Sequence, residues 1–270
     1  MQISGISSQE TSRNAAPQAC GTPSRRRFAL AGRSHAFDPR IDAARGDLAD
    51  LRLADRLFAP HYAAAVLRTA SRATPLLAAD GGVLSELLIG ETFEVLEFAS
   101  GRAWGVCAID GSVGHVDASA LAPLSPVTHI VCARSAGGLP MGSRLAYAGA
   151  ASDDIRPIDA PVADFVALAE ALVGAPFVAG GRSGAGLDDA GLVFLTLSLA
   201  GIVAPRFRDL QAVALGHEVA ESAPVLRGDI LFHEARVALA LDGERTIAVA
   251  AEGVMIAPQV DGVLLRRRLP

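Results

Sequence analysis

Residues that could do chemistry are concentrated in the second half of the chain. Asp188 and Asp189 are adjacent carboxylates between a glycine-rich stretch, 180–186, and the apolar run 191–201, and His233 follows later. A histidine and two carboxylates could bind a metal ion or support hydrolysis if the fold brought them together. The chain has no His-x-x-x-His pair and no closely spaced cysteine pair. We therefore expect no metal and no cofactor, and an active site built from these three residues remains an alternative.

The stretch 176–193 resembles the nucleophile turn of the NlpC/P60 cysteine peptidases, which cut peptidoglycan peptides. In that family the pattern reads roughly Gly-Gly-x-Ser-x-x-Gly-(Leu/Ile)-Asp-Cys-Ser-Gly-Leu-Val. Asp189 stands where the family has its cysteine and Ala190 where it has the serine. A carboxylate is a far weaker nucleophile toward a carbonyl carbon than a thiolate. The positions that match are Gly180, Gly181, Ser183, Gly186, Leu187, Asp188, Gly191, Leu192 and Val193.

The two other catalytic positions that the resemblance implies are also replaced. The Gly-Asp-Ile-Leu-Phe segment at 228–232 resembles the one that precedes the family histidine, and Arg236 then occupies the histidine position. A guanidinium with a pKa above about 12 cannot act as a general base at neutral pH. Ala248 occupies the position of the residue that orients the histidine, and it has no polar side-chain atom. The resemblance therefore implies a degenerate triad and a lost activity, and we expect Asp189 and Arg236 to form an ion pair across the former cleft.

The same resemblance supplies candidates for ligand contacts. Asp188 is the foremost, since an Asp before the nucleophile can help bind the free amino group of the substrate peptide in the family. The alternative role of Asp188, a helix N-cap, is equally well supported by the sequence. Further along, Arg208 stands where the family commonly has Ser or Thr, so the charge of that wall of the cleft is changed. The remaining candidates are Arg182, Ser183, Phe177 and, in the preceding region, Trp104.

Periodicity predicts an α+β domain over residues 161–270. Apolar residues recur at helical spacing over 161–173, and the run 191–201 is apolar nearly all round, which indicates a buried helix capped by Asp188 or Asp189. Strands are predicted at 228–232, 236–241 and 246–250. A helix followed by an antiparallel sheet agrees with the papain-like layout that the NlpC/P60 resemblance implies.

Residues 64–123 are predicted to form a small all-β barrel. Short strands at 66–68, 75–77, 91–98, 103–109 and 112–116 are separated by glycine-containing turns. The Gly101-x-x-Trp104-Gly105 and Gly111-x-Val113-Gly114 elements resemble a bacterial SH3-like domain. Residues 124–160 are predicted to be a linker and a truncated second SH3-like segment, because two strand-like pieces are too few to close a barrel. Residues 28–63 are predicted to be a helical or extended segment, and 1–27 a disordered tail.

Composition limits the classes of partner. The net charge of −5 argues against nucleic-acid binding, and the basic runs at 25–27 and 266–268 are expected to be solvated tails. No apolar run approaches the ~20 residues needed to span a bilayer, and no convincing export signal is present, so we expect a cytoplasmic protein. Cys107 and Cys132 are expected to be buried thiols rather than half of a disulfide scaffold.

The sequence thus favours a catalytically inactive NlpC/P60-like homologue of a γ-D-glutamyl-diaminopimelate endopeptidase. Such a protein would bind peptidoglycan-derived peptides or a protein partner. Two alternatives remain: an active cell-wall hydrolase that uses Asp188, Asp189 and His233, and a purely structural interaction scaffold.

Overall fold

The computed structural model describes residues 37–150, 152–259 and 261–270. The predicted tail 1–27, with the basic run at 25–27, lies outside the described residues. The segment before the first large sheet contains β1 (Leu48–Asp50), a 3-10 turn (Leu51–Leu53) and β2 (His61–Ala63). β1 and β2 pair in parallel. The described part of the segment 28–63, which was predicted to be helical or extended, therefore contains two short strands and a single 3-10 turn.

Residues 66–123 form a seven-stranded sheet. Its order is β5-β4-β8-β7-β6-β3-β9, and all its pairings are antiparallel. Phe93 and Val95 of β6 face a core inside this sheet, as alternation of apolar and acidic residues predicts. The strand β5 was missed by sequence reasoning. The strands are β3 (Val66–Ala70), β4 (Thr74–Leu77), β5 (Val83–Leu87), β6 (Thr92–Ala99), β7 (Arg102–Cys107), β8 (Val113–Asp117) and β9 (Leu121–Pro123), with a 3-10 turn at Ala118–Ala120.

Residues 129–157 form two small sheets. One is three-stranded, with order β13-β10-β14, and the other is the ribbon β11-β12. The two strand-like pieces predicted within 124–160 correspond to β10 and β13. The SH3-like identity of this segment and of the seven-stranded sheet stays a prediction. The strands are β10 (His129–Val131), β11 (Ser135–Ala136), β12 (Leu139–Pro140), β13 (Arg144–Leu145) and β14 (Ile155–Pro157).

The C-terminal part combines three helices with a six-stranded sheet, so the predicted α+β class is confirmed. The sheet order is β17-β22-β18-β19-β20-β21, and β15-β16 is a separate ribbon before α2. The helices are α1 (Phe165–Ala171), α2 (Asp189–Leu199) and α3 (Arg208–Ala214). The strands are β15 (Arg182–Ser183), β16 (Gly186–Leu187), β17 (His217–Glu218), β18 (Ile230–Phe232), β19 (Val237–Ala240), β20 (Arg245–Ala250), β21 (Gly253–Pro258) and β22 (Leu265–Arg268).

Helix α2 is the centre of the largest hydrophobic core, as its apolar composition predicts. Its apolar side chains are buried against α1 and against Val237, Leu239 and Ile247 of the sheet. Helix α1 is shorter than the predicted 161–173, because the carboxylate of Asp164 accepts the N–H groups of Val166 and Ala167 and so caps the helix there. No helix in the described part of the chain is both long and apolar enough to cross a membrane.

The basic run at 266–268 is a strand rather than a solvated tail. β22 lies inside the sheet, between β17 and β18. The guanidinium of Arg268 donates to both carboxylate oxygens of Asp229, at 2.6 and 2.7 Å, and Arg266 is only 7% exposed. The sequence prediction was wrong here because the buried carboxylate that neutralises the run lies far from it in the sequence.

Candidate functional site

Close backbone packing places the glycine-rich loop against the start of α2. A Cβ on Gly191 would lie 2.1 Å from the carbonyl oxygen of Gly181, which no side chain could tolerate. The ribbon of β15 and β16 then leads directly into the helix. This packing fixes the first turn of α2, which contains the position that the NlpC/P60 resemblance assigns to the nucleophile.

Asp188 is the N-cap of α2, and its carboxylate is engaged on both oxygens. One oxygen accepts the N–H of Gly191 at 2.6 Å, and the other accepts that of Gly180 at 3.0 Å. The buried guanidinium of Arg206 donates to both oxygens, at 3.0 and 2.7 Å. These charge-assisted contacts hold the loop on the helix end. Of the two roles that the sequence left open for Asp188, the structure shows the cap.

Asp189 faces the start of β19, and its partner is not the expected one. One carboxylate oxygen accepts the N–H of Val237 at 2.8 Å and lies 3.3 Å from Nη1 of Arg208. The other oxygen accepts the N–H of Ala190. Arg208 also donates to the carbonyl oxygen of Ala235. The predicted ion pair with Arg236 is wrong because Arg208, the first residue of α3, reaches the carboxylate instead.

The other two degenerate positions add no proton-transfer group. Arg236 is half-buried and makes its backbone contact with His233, whose N–H donates to the carbonyl oxygen of Arg236. Ala248 is buried opposite Ala238 in the β19–β20 pairing. Burial, and then the charge of Arg236, lower the pKa of His233. Within the described residues, no three His, Cys, Asp or Glu side chains are grouped as a metal ion would require, so no metal site joins His233 to the two carboxylates.

Arg182 is buried inside the molecule, so the prediction that it contacts a ligand is wrong. It is 1% exposed, and its two Nη atoms donate to the carboxylate of Glu91 at 2.8 and 2.6 Å. Its Nε lies 3.2 Å from both Asp110 and Ser85. Burial disfavours the charged guanidinium, but the two carboxylates outweigh it and raise the pKa of Arg182. Arg182 therefore ties the loop before α2 to the seven-stranded sheet, and the neighbouring Ser183 is buried with it.

Trp104 is also buried rather than displayed. It belongs to a small core with Leu96 and Val113. The guanidinium of Arg45 lies over its ring, 4.6 Å from the centroid. The ligand contact expected for Trp104 is therefore corrected, because only 6% of the residue is exposed.

Phe177 is the one candidate that lies open to solvent, beside a shallow cavity. It is 48% exposed, and the next residue, Val178, is 45% exposed. Val178, Gly180 and Gly181 line one side of a cavity of about 290 Å³, and Ser85 and Glu86 of β5 line the other. Sequence reasoning missed the β5 side, because nothing in the chain order relates 83–87 to the glycine loop. The one available signal was a glutamate within an apolar run.

Glu86 is the titratable group of this cavity. Burial raises its pKa, although its carboxylate accepts the N–H of Arg182 at 2.6 Å, which acts in the opposite direction. The cavity therefore has a polar end at Glu86 and an apolar rim at Val83 and Val178, whereas the hydroxyl of Ser85 is buried and bonded to Asp110, Arg182 and Arg206. Such a surface suits a short peptide or an apolar side chain of a partner.

Neither described cysteine has the exposure expected of a nucleophile. Cys107 lies within the seven-stranded sheet and Cys132 beside β10, and both are buried and free. Burial raises the pKa of each thiol, which disfavours the reactive thiolate. The predicted buried state of both cysteines is confirmed.

Solved structures with a similar fold were found for this chain. An NlpC/P60 family protein from Bacillus cereus ATCC 10987 superimposes with a TM-score of 0.62 over 76% of this chain and all of its own, at 16% identity. The chain has the fold of an NlpC/P60 protein. The suspected resemblance is thereby confirmed at the level of the fold. No family model matches the sequence, and no curated protein matches it either.

Two further NlpC/P60 structures match at lower TM-scores. RipD from Mycobacterium tuberculosis is described as a non-catalytic NlpC/p60 domain protein adapted to peptidoglycan binding; it is 25% identical over 39% of this chain and 95% of its own, with a TM-score of 0.35. NlpC2 from Trichomonas vaginalis is 14% identical over 77% of this chain and 98% of its own, with a TM-score of 0.41.

Proposed function

We propose that this chain is a non-catalytic NlpC/P60-like homologue that binds peptidoglycan-derived peptides. One observation carries the proposal. At the position where the family pattern has its cysteine, the carboxylate of Asp189 is held by Arg208 and by the N–H of Val237. A carboxylate fixed in this way can neither attack an amide nor take a proton from a distant nucleophile. The cytoplasmic location expected from the sequence is part of the proposal.

Binding would occur at the cavity beside the glycine loop. Its polar end, Glu86, suits an amino group of a short peptide, and its rim, Val83 and Val178, suits small apolar side chains such as alanine.

Calorimetric titration with the tripeptide L-Ala-γ-D-Glu-diaminopimelate tests the proposal. We expect measurable binding by the wild-type chain and at least about tenfold weaker binding by Val178→Glu, which places a charge at the rim. Val203→Glu is the matched control, since Val203 is 95% exposed and lies outside the cavity. Absence of binding up to about 1 mM peptide, or equal affinity for both variants, would contradict the proposal.

A protein partner is a second candidate for the same surface. Val83 and Val178 line the cavity, and Phe177 directly precedes Val178; each of these three apolar side chains is about half exposed. Contiguous exposed apolar residues are typical of interaction sites. A protein partner is favoured over the peptide if two results are obtained together. The wild-type chain does not bind the peptide, and Val178→Glu abolishes the capture of a partner protein that the wild-type chain binds.

A further inference from the structure

A second cavity, of about 510 Å³, lies on the face of the six-stranded sheet that points away from α2. Ile230 and Phe232 of β18 are in the core that surrounds α2. Because side chains alternate along a strand, Leu231 and its cross-strand partner Arg266 face the opposite way, and both line this cavity. The cavity is therefore separate from the site around Asp189.

The guanidinium of Arg266 is the buried polar group of this cavity, and most of its donors are unused. An arginine has five N–H donors. Arg266 forms two hydrogen bonds, both from Nη2, to the carbonyl oxygens of Ala220 and Ala223. Its Nε has no hydrogen-bond partner among the described residues. Nε is itself buried, so the donors that a ligand could reach are those of Nη1, which makes no hydrogen bond with a described residue. An acceptor oxygen supplied by a ligand would satisfy them.

The nearest carboxylate does not neutralise Arg266 by itself. Asp229 Oδ2 lies 3.9 Å from Nε of Arg266, which is too far for a hydrogen bond. Both oxygens of Asp229 already accept hydrogen bonds from Arg268, and one accepts the N–H of Leu226. Two guanidinium groups thus share one carboxylate, and the wall of the cavity carries a surplus positive charge.

The rim of the cavity has the opposite charge. Glu218, Glu221 and Asp261 line it, and none of them makes a side-chain hydrogen bond or an ion pair with another described residue. A ligand that satisfies both the wall and the rim needs an anionic group at one end and positive charge at the other.

We propose that this cavity is a binding site for a small diamino acid, in which Arg266 receives the carboxylate and the acidic rim receives the ammonium groups. Simple anions are disfavoured because three carboxylates surround the entrance. Simple amines are disfavoured because they leave the buried guanidinium without an acceptor. The carboxylate and two ammonium groups of a molecule of lysine size match both charge patterns.

Calorimetric titration of the full chain with three probes of matched length tests the site. L-Lysine has all three charged groups, L-norleucine lacks the side-chain ammonium, and cadaverine lacks the carboxylate. We expect lysine to bind and each of the other two to bind at least about tenfold more weakly. No binding of lysine up to about 10 mM, or equal binding of cadaverine and lysine, would overturn the proposal.

Substitution of Arg266 could disrupt the sheet, because this residue lies in β22. Variants of the exposed rim residues therefore test the site without that risk to folding. The triple variant Glu218→Gln, Glu221→Gln, Asp261→Asn changes only exposed side chains, and we expect it to weaken lysine binding about tenfold or more. Glu252→Gln is the control, since it removes one exposed charge outside the cavity. Lysine binding that is unchanged in the triple variant would overturn the assignment. The lysine titration and the peptide titration can fail independently, because the cavity at Arg266 and the cavity at Val178 share no lining residue.

Discussion

Asp189 at the first position of α2 is ion-paired with Arg208 at the first position of α3, with 3.3 Å between Oδ2 and Nη1. The same carboxylate oxygen accepts the N–H of Val237, the first residue of β19. One carboxylate therefore joins the starts of two helices and a strand around the region where an NlpC/P60 peptidase would have its nucleophile and its base. The carboxylate at the position that the family pattern gives to the cysteine therefore stabilises the structural framework.

The contacts of Asp189 predict an order of stability losses. Asp189→Ala should lower the free energy of unfolding by about 1–3 kcal/mol, because the buried N–H of Val237 loses its acceptor. Arg208→Ala should cost at most about 1 kcal/mol, since more than a third of that side chain is exposed and water screens the pair. Urea unfolding of both variants measures the difference. A larger loss for Arg208→Ala would contradict this order.

A double-mutant cycle distinguishes the two possible partners of Asp189. We expect a coupling of about 0.2–1 kcal/mol between Asp189 and Arg208. The cycle between Asp189 and Arg236 should give a coupling indistinguishable from zero, because no ion pair joins them. Coupling that is confined to Arg236 would mean that the described side-chain arrangement is wrong in solution.

The buried pair of Arg182 and Glu91 should be the most sensitive charged contact. Glu91→Ala leaves a guanidinium with 1% exposure short of its bidentate partner, and should cost about 3–5 kcal/mol of unfolding free energy. Glu170→Ala removes one partner of Arg227 on the surface and should have little effect. Both are measured by denaturant unfolding. Similar losses in the two variants would show that the Arg182 network is solvated.

Close packing at the loop predicts the result of a glycine exchange. Gly191→Ala should destabilise the chain by about 1–3 kcal/mol or prevent folding, since its Cβ would collide with the carbonyl oxygen of Gly181. Gly243→Ala is the control, because nothing lies within 4 Å of a Cβ at that position. Thermal unfolding compares the two. An unchanged Tm for Gly191→Ala would mean that the loop does not pack on α2 as described.

Glu86 gives the cavity a pH dependence whose sign is fixed by burial. Its pKa is raised in the folded chain, so the folded state holds the proton more tightly than the unfolded state. The resulting contribution to stability is present below the ordinary carboxyl pKa and is lost as pH rises through the raised value. Glu86→Gln, which stays neutral, should gain stability relative to wild type as pH rises from about 4 to 7. A difference between the two proteins that does not change with pH would contradict the raised pKa.

The sequence predicted the parts of the fold that depend on local patterns. The apolar run at 191–201 and the preceding Asp188 were sufficient to predict α2 and its cap, and alternation was sufficient to predict β6. Prediction from sequence failed where the environment of a side chain depends on residues that are distant in the chain. Arg268 is satisfied by Asp229, 39 positions earlier, so charge alone suggested a solvated tail. The partner of Asp189 comes from α3, whose orientation depends on packing. The burial of Arg182 likewise depends on Glu91, which lies in the turn between β5 and β6.

The central claim is the absence of peptidase activity, and mass spectrometry of the reaction products tests it most directly. Purified chain is incubated with L-Ala-γ-D-Glu-diaminopimelate peptide, with and without divalent metal, beside an active NlpC/P60 enzyme. The arrangement of Asp189, Arg208 and Val237 predicts intact peptide after long incubation. Cleavage that disappears in Asp189→Ala would contradict the account and show that the carboxylate belongs to an active site of different chemistry.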